Sequence, residues 1–213
     1  MSWGVQVVQL EKILLSLAVV TNQSEEERSR ALKEVHILSK CNSYFVVKYY
    51  HSWIEINRLY IQMEFCPQSL RELLSDKDTL FNRQTAQSFN IYEYFISCEI
   101  FKELLQCLEY LHGLHPPIIH RDIKPANILI LQNTSNNSFV KLGDFGLATE
   151  NNRALMSHTR GPGTPDFIAP EVVINNTYDF KADIFGLGVI GFKLFEINTV
   201  YWQCSGQIQI DLI

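Results

Sequence analysis

The sequence has few of the features that mark secreted, disulfide-rich or membrane-spanning proteins. Among its 213 residues are five cysteines, an odd number without any C-x-x-C spacing. This usage disfavours a disulfide framework or a zinc site and favours free thiols in a reducing compartment. The apolar run Ile13–Val20 is interrupted by Ser16, is too short to span a bilayer, and follows no basic segment of the kind a signal peptide needs. We expect a cytosolic protein without a membrane segment.

Glycine and lysine are both scarce near the N-terminus. Of the ten glycines, only Gly4 precedes Gly113. Because a loop that wraps phosphates with its backbone needs the conformational freedom of glycine, no such loop can be placed before Gly113. Lys12 is the only lysine before Lys33, and its setting, Leu-Glu-Lys-Ile, favours a surface lysine.

The charge balance excludes another group of functions. A formal net charge of −5 argues against general affinity for nucleic acid or for an anionic membrane surface. Hydrophobic residues at 46% and charged residues at 19% describe a globular protein with enough apolar material for a core. The length allows one substantial domain, or one domain plus part of another.

The residues that are present point to phosphoryl transfer. The stretch Ile119–Leu131, IHRDIKPANILIL, places an acid (Asp122), a cation (Lys124) and a carboxamide (Asn127) close together. A second acid, Asp144, follows in KLGDFG. Phosphoryl transfer from a metal-bound nucleotide uses such parts: one carboxylate orients the attacking hydroxyl, a cation offsets phosphate charge, and an amide and a second carboxylate hold Mg²⁺.

Because both motifs occur in order, each behind an apolar strand-like run, the chain resembles eukaryotic protein kinases. The resemblance implies an α+β fold with two lobes, here incomplete. It divides the chain into an atypical segment at 1–22, a partial β-rich N-lobe at 23–66, a partial, truncated and mainly helical C-lobe at 67–197, and an atypical tail at 198–213. It also implies ATP and Mg²⁺ as cofactors and a protein substrate as partner. The Gly-rich loop and the Val-Ala-x-Lys lysine of the family are missing, and Lys12 is the one candidate replacement.

The resemblance implies functional roles for residues in and near the two motifs. Asp122 is expected to orient the acceptor hydroxyl and take its proton. Lys124, in Lys-Pro-Ala-Asn, resembles the Ser/Thr version of this loop and is expected to contact the γ-phosphate. Asn127 and Asp144 are expected to hold Mg²⁺ through oxygen ligands. Thr164, in Gly-Thr-Pro, is expected to support Asp122 and Lys124.

Four further positions match those that bind or position the nucleotide: Glu34, Met63, Glu64 and Cys66. Glu34 matches the helix glutamate that pairs with the strand lysine in the family. Met63 matches the gatekeeper at the end of a strand, and Glu64 to Cys66 match the hinge, whose backbone groups bind adenine.

The local pattern predicts most of the secondary structure. A capping box at Ser24–Glu27 predicts a helix to about Lys40. The other predictions are a hairpin of strands at 45–55 and 59–65, a short helix at 69–75, a loop at 76–90, a long helix at 91–114, a polar hairpin tip at 131–139, and a helix to about 196 that Asp183 opens. The resemblance also implies that Asp183 is buried and holds the backbone of the catalytic loop in place.

The segment Asp144–Glu171 resembles a kinase activation segment. It contains three candidate phosphorylation sites, Thr149, Ser157 and Thr159. Arg121 is the cation with which a phosphate on this segment is expected to pair.

Three interpretations of function remain open. The first is a Ser/Thr protein kinase catalytic region. The amino-acid sequences of the two predicted strands resemble those of the branch that contains the initiation-factor-2α kinases and the Wee-type kinases. The second is a non-catalytic kinase-like module that binds partners, which the missing lysine supports. The third, an inactive fragment or mis-joined product of a true kinase, is favoured because the pattern is complete only in the middle of the chain.

Overall fold

The computed structural model describes residues 8–10, 13–19, 25–56, 58–81, 90–131, 138–150, 164–175 and 178–197. These ranges form an α+β protein with a sheet-containing N-terminal lobe and a mainly helical C-terminal lobe. The predicted fold class is therefore confirmed. No helix in the described ranges is both long and apolar enough to cross a membrane.

The N-terminal lobe is built on an antiparallel sheet with the strand order β1-β2-β4-β3. Its strands are Val8–Leu10 (β1), Ile13–Val19 (β2), Tyr49–Glu55 (β3) and Arg58–Glu64 (β4). Alternate side chains of β4, namely Leu59, Ile61 and Met63, are buried, as expected for a strand with one face on the core. The predicted hairpin of β3 and β4 is confirmed.

Helix α1 spans Glu25–Lys40 and confirms the helix predicted to end near Lys40. The capping residue proposed for it, Ser24, lies outside the described residues. The buried side chains Ala31, Ile37 and Leu38 attach the helix to the core. Glu34 lies on the same helix at the edge of this apolar face.

Helix α2 corrects one prediction, because it spans Leu70–Leu80 instead of ending at 75. A capping box between Ser69 and Glu72 starts it, at the position where the sequence predicted a short helix. It continues because Lys77, within the predicted loop, is buried and donates to the carbonyl of Leu194 at 3.0 Å. The Lys77 ammonium also pairs with Glu196 at 3.0 Å, so a long-range contact stabilises a turn that has no apolar pattern.

Two long helices form the centre of the C-terminal lobe, α3 at Ile91–Gly113 and α5 at Phe180–Leu194. The first confirms the predicted helix at 91–114. Its predicted apolar stripe is buried, and this stripe consists of Ile100, Leu104, Leu108 and Leu111. The helices approach closely at Gly191, where an added Cβ would lie 2.9 Å from the ring of Phe101.

Short strands carry the motif residues between these helices. One small sheet has the order β5-β7-β8, and a pair of strands is formed by β6 and β9. Their bounds are Gln68–Ser69 (β5), Ile118–Ile119 (β6), Ile128–Ile130 (β7), Val140–Leu142 (β8) and Thr149–Glu150 (β9), and a short helix, Pro170–Asn175 (α4), precedes α5. The tip predicted at 131–139 lies between β7 and β8, and residues 132–137 of it lie outside the described residues.

Strand β8 connects the lobes. The amide of Leu142 donates to the carbonyl of Phe45 at 2.8 Å, and the amide of Val47 donates to the carbonyl of Leu142 at 2.9 Å. The residue pair Val46 and Leu142 forms an isolated parallel bridge at this point. The strand that precedes the Asp-Phe-Gly motif is therefore bonded directly to the segment between α1 and β3.

Candidate active site

A buried aspartate at the start of α5 holds the catalytic loop in place. The side chain of Asp183 accepts hydrogen bonds from the backbone amides of His120 and Arg121, at 2.9 and 2.8 Å. One of its oxygens also lies 2.9 Å from Nε2 of His112. Arg121 has a φ of 70°, a backbone conformation that costs energy for a residue other than glycine. The two hydrogen bonds from the backbone amides to Asp183 stabilise this conformation. The bracing role predicted for Asp183 is confirmed.

The three predicted residues of the catalytic loop lie together. Nζ of Lys124 donates to Oδ2 of Asp122 at 2.6 Å. Nδ2 of Asn127 donates to the same carboxylate oxygen at 2.9 Å and to the backbone carbonyl of Asp122 at 2.9 Å. A turn of 3-10 helix at Pro125–Asn127 brings the carboxamide back to the acid. Asp122 and Asn127 are both buried, which fixes their orientation before any ligand binds.

Asn127 and Asp144 are the two predicted residues that could hold Mg²⁺, and their metal-binding role stays a prediction. The amide of Gly143 donates to the carbonyl of Asn127 at 2.9 Å, so the backbones of the two motifs are bonded next to Asp144. The Asp144 side chain is exposed and its φ is 55°. Both hydrogen bonds of the Asn127 side chain use its nitrogen, so its oxygen has no hydrogen-bond partner among the described residues. A carboxylate and an amide oxygen are hard ligands that suit Mg²⁺, with nucleotide phosphates and water as the remaining ligands.

Phe145 is buried beneath the two motifs. Its ring packs edge-on against the ring of His120, with the centroids 4.9 Å apart. Nε2 of His120 lies 3.0 Å from the carbonyl of Gly143. The predicted contact between Phe145 and His120 is confirmed, and Leu38 and Tyr49 belong to the same apolar cluster.

Glu34 approaches the Asp-Phe-Gly motif from α1. Oε2 of Glu34 lies 3.5 Å from the point where a Cβ on Gly146 would be, and the nearest side-chain oxygen of Asp144 lies 3.3 Å from that point. Burial first, and the Asp144 carboxylate second, raise the pKa of Glu34 to about 7. No lysine of the described residues pairs with Glu34. Lys12, the candidate partner, lies outside those residues.

The three hinge candidates lie at the end of β4. Met63 is buried, as the gatekeeper position predicts, while Glu64 and Cys66 are partly exposed. The amide of Glu64 donates to the carbonyl of Lys48 at 2.8 Å. Burial raises the pKa of the Cys66 thiol to about 12, with Glu64 adding to the shift, which favours the protonated thiol.

Lys141 is a functional neighbour that the sequence argument did not identify. Its buried ammonium pairs with the Glu64 carboxylate at 3.0 Å and donates to the carbonyl of Tyr44 at 3.0 Å. It thereby joins strand β8 to the hinge. A signal was present, because a lysine between Val140 and Leu142 in an apolar strand needs an acidic partner when buried.

Thr164 has no described hydrogen bond to the two catalytic-loop residues that it is expected to support. It precedes a turn of 3-10 helix at Pro165–Phe167, and its side chain makes no capping hydrogen bond there. Neither Asp122 nor Lys124 shares a hydrogen bond with Thr164 in the described part of the chain. Its supporting role stays a prediction.

Two of the three candidate phosphorylation sites, Ser157 and Thr159, lie outside the described residues. The third, Thr149, lies in β9 and is partly buried.

Together the fold and these contacts define a protein-kinase-like centre. The sequence matches the family model described as the protein kinase domain over residues 12–212. The chain therefore belongs to the protein kinase domain family. The matched range extends past both ends of the segment 24–197 to which the motifs pointed.

Relatives among curated proteins are Ser/Thr protein kinases. The chain is 33% identical over 199 residues to "Serine/threonine-protein kinase 10" of Danio rerio, covering 91% of this chain and 19% of that protein. It is 34% identical over 190 residues to "Serine/threonine-protein kinase ppk11" of Schizosaccharomyces pombe, covering 89% and 55%. It is 34% identical over 185 residues to "Serine/threonine-protein kinase cst-1" of Caenorhabditis elegans, covering 87% and 34%. The chain thus spans less than two thirds of each relative.

These relatives do not support the assignment to a kinase subfamily that was based on the sequences of two predicted strands. Their names place none of the three in the initiation-factor-2α or Wee-type branch. Strands β3 and β4 lie in the N-terminal lobe, but their amino-acid sequences do not identify a subfamily.

Proposed function

We propose that this chain is the catalytic region of a Ser/Thr protein kinase, which transfers the γ-phosphate of ATP to a hydroxyl of a protein substrate in the cytosol. One observation carries the proposal: the carboxylate of Asp122 is bonded to both Lys124 and Asn127, at 2.6 and 2.9 Å. A module that only binds a partner has no chemical need for this arrangement. The relatives named above support the Ser/Thr class, and the protein substrate is not specified by them.

The reaction assigns a separate task to each residue. Asp122 accepts a hydrogen bond from the substrate hydroxyl and takes its proton as the new bond to phosphorus forms. Lys124 lies beside this acid and contacts the γ-phosphate, so its charge offsets the negative charge of the transferring group. Asn127 and Asp144 would hold Mg²⁺, which would shield the phosphates of ATP. The backbone at Glu64 and Cys66 would receive the adenine, with Met63 as the gatekeeper residue.

The decisive variant is Asp122→Asn, because it removes the proton acceptor and keeps the shape of the side chain. We expect phosphate transfer to fall by a factor of about 10² to 10⁴, the usual contribution of a general base, while Mg²⁺–ATP affinity changes little. Transfer of radiolabelled phosphate to a mixed peptide library measures the first quantity, and calorimetric titration measures the second. Asp76→Asn, a change at an exposed acid on α2, is the matched control. Equal activity of Asp122→Asn and the parent would falsify the assignment.

A non-catalytic kinase-like module is the second candidate, and one observation favours it. Glu34 lies beside another carboxylate, Asp144, and among the described residues no lysine pairs with it. On this alternative the parent chain transfers no phosphate and binds Mg²⁺–ATP weakly or not at all. The titration described above separates the two candidates.

A third candidate is that the sequence is an inactive piece of a larger kinase. The intact mass of the endogenous protein, with peptide coverage of both ends, tests it. A mass well above that of this sequence, with peptides that contain a Gly-rich loop and a strand lysine, supports the third candidate. A mass that equals it returns the question to the other two.

Activation by phosphorylation is a further part of the proposal. The Arg121 guanidinium lies 4.1 Å from the ring centre of Tyr178, beside the end of the activation segment. Lys33 lies close enough for the charge of Arg121 to lower its pKa, after the larger effect of burial. A phosphate on Ser157 or Thr159 pairs with Arg121 in this proposal, and mass spectrometry of the active protein identifies the site.

A further inference from the structure

The carboxylates of Glu34 and Asp144 approach each other at Gly146. Oε2 of Glu34 lies 3.5 Å from the point where a Cβ on Gly146 would be, and Oδ1 of Asp144 lies 3.3 Å from the same point. The two oxygens are therefore no further apart than the sum of these distances. Because Gly146 has no side chain, the space beside both carboxylates is open.

No cation of the described residues offsets the charge of these two acids. Neither carboxylate makes an ion pair within the described part of the chain, although Oδ1 of Asp144 accepts a hydrogen bond from the amide of Gly146 at 3.4 Å. Burial first, and the charge of Asp144 second, raise the pKa of Glu34 to about 7. Asp144 itself is exposed, so an ion from solvent can reach the pair.

A third oxygen ligand is available next to Asp144. Asn127 is only 6% exposed, and its carbonyl accepts a hydrogen bond from the amide of Gly143, the residue before Asp144. Its side-chain nitrogen donates to Asp122, which leaves its side-chain oxygen without a hydrogen-bond partner among the described residues. A buried polar oxygen needs a donor or a cation, and this one lies at the same place as the two acids.

The chemistry of the three ligands selects the class of ion. Two carboxylates and one amide oxygen form a set of hard oxygen donors, which suits Mg²⁺, Ca²⁺ or Mn²⁺ better than Zn²⁺. Two carboxylate oxygens bind one Mg²⁺ directly when they lie about 4 Å apart or less, and a metal-bound water can bridge a longer gap. Phosphate oxygens and water would complete the coordination.

We propose that Glu34 is a ligand of a divalent cation that it shares with Asp144, so that an ion offsets the charge of both carboxylates. The inference deepens the proposed function and rests on it, because the ion is that of the proposed magnesium site. It changes the role of Glu34 from the partner of a lysine to a metal ligand.

The first test is metal binding without nucleotide. Titration with Mn²⁺ alone, followed by the loss of the free-ion signal in electron paramagnetic resonance, measures the affinity, since Mn²⁺ takes the same oxygen ligands as Mg²⁺. Glu34→Gln and Asp144→Asn should each weaken binding by a factor of about 10 to 100, because each removes a charged ligand. Glu109→Gln, at an exposed position on α3, is the matched control and should bind Mn²⁺ as the parent does.

Thermal denaturation provides a second readout that also reports on folding. Glu34→Gln removes a repulsion between acids, so we expect this variant to fold. Mn²⁺ should raise the Tm of the parent and of Glu109→Gln by the same amount, because an ion that binds only the folded state stabilises it. The increase should be smaller in Glu34→Gln.

The outcomes separate this inference from the proposed function. Equal Mn²⁺ affinity of Glu34→Gln and the parent overturns the inference, and so does a parent that binds no Mn²⁺ at millimolar concentration. A parent that binds Mn²⁺ through Glu34 but transfers no phosphate supports the metal ligand and refutes the kinase activity. A parent that transfers phosphate, with Mn²⁺ binding that does not depend on Glu34, gives the opposite result.

Discussion

The two sides of the candidate site are built in different ways. The catalytic-loop side, from His120 to Asn127, is held by Asp183 and by bonds among its own residues. The α1 side brings Glu34 to Asp144, carboxylate to carboxylate, and depends on contacts to β9 for its position. The difference shows that the residues proposed for proton acceptance and metal binding are organised without a ligand, whereas the approach of Glu34 to Asp144 from α1 carries an electrostatic penalty.

Removal of Asp183 is the strongest way to break the catalytic-loop side. Asp183→Ala leaves two buried amides without acceptors and His112 without its partner. We expect a loss of about 3–5 kcal/mol in the free energy of unfolding, which urea denaturation measures. Asp179→Ala, which removes the side-chain cap of the same helix, should cost only about 1 kcal/mol. Similar losses for the two variants would contradict a special bracing role.

Substitution of Glu34 should remove the electrostatic penalty on the α1 side of the site. Its pKa is raised to about 7, so between its ordinary value of 4.5 and about 7 the folded state binds more protons than the unfolded state. Stability therefore falls as the pH rises through that window. Glu34→Gln should remove this loss and be more stable than the parent at pH 8, by about 2 kcal/mol, with little difference at pH 4.5.

Urea denaturation at several pH values, with a chelator and without nucleotide, measures the effect of Glu34→Gln. Glu109→Gln, at an exposed position on α3, is the control and should not change the slope with pH. An unchanged pH dependence in Glu34→Gln would show that Glu34 is ionised in the folded protein at neutral pH.

Two glycines of α5 provide the smallest and sharpest comparison. A Cβ on Gly186 would lie 3.0 Å from the carbonyl of Ile123 in the catalytic loop, while a Cβ on Gly188 would meet nothing within 4 Å. Gly186→Ala should destabilise by about 1–2 kcal/mol because backbone has to move. Gly188→Ala should stabilise by about 0.5–1 kcal/mol through helix propensity. Thermal denaturation checks both signs, and equal signs would refute the close approach.

The sequence predicted the catalytic-loop side well because its contacts are local. Asp122, Lys124 and Asn127 lie within five positions of one another. The residues that sequence reasoning missed are joined over long separations: Lys40 and Glu150 are 110 positions apart, and Lys77 and Leu194 are 117 apart. Periodicity and spacing contain no information on such pairs, so the end of α2, the Lys141–Glu64 pair and the Lys40–Glu150 pair could be found only from the fold.

The bonds between β8 and the N-terminal lobe restrict how the two lobes can move. The lobes are joined by the covalent hinge at 64–66 and again at Leu142, and Lys141 connects the two junctions through Glu64. The bonds of Lys33 to Thr149 and of Lys40 to Glu150 join the lobes a further time. We therefore expect the lobes to rotate about the line between the hinge and Leu142 only when the contacts between α1 and β9 break, with large displacements at β1 and β2 and almost none near Met63.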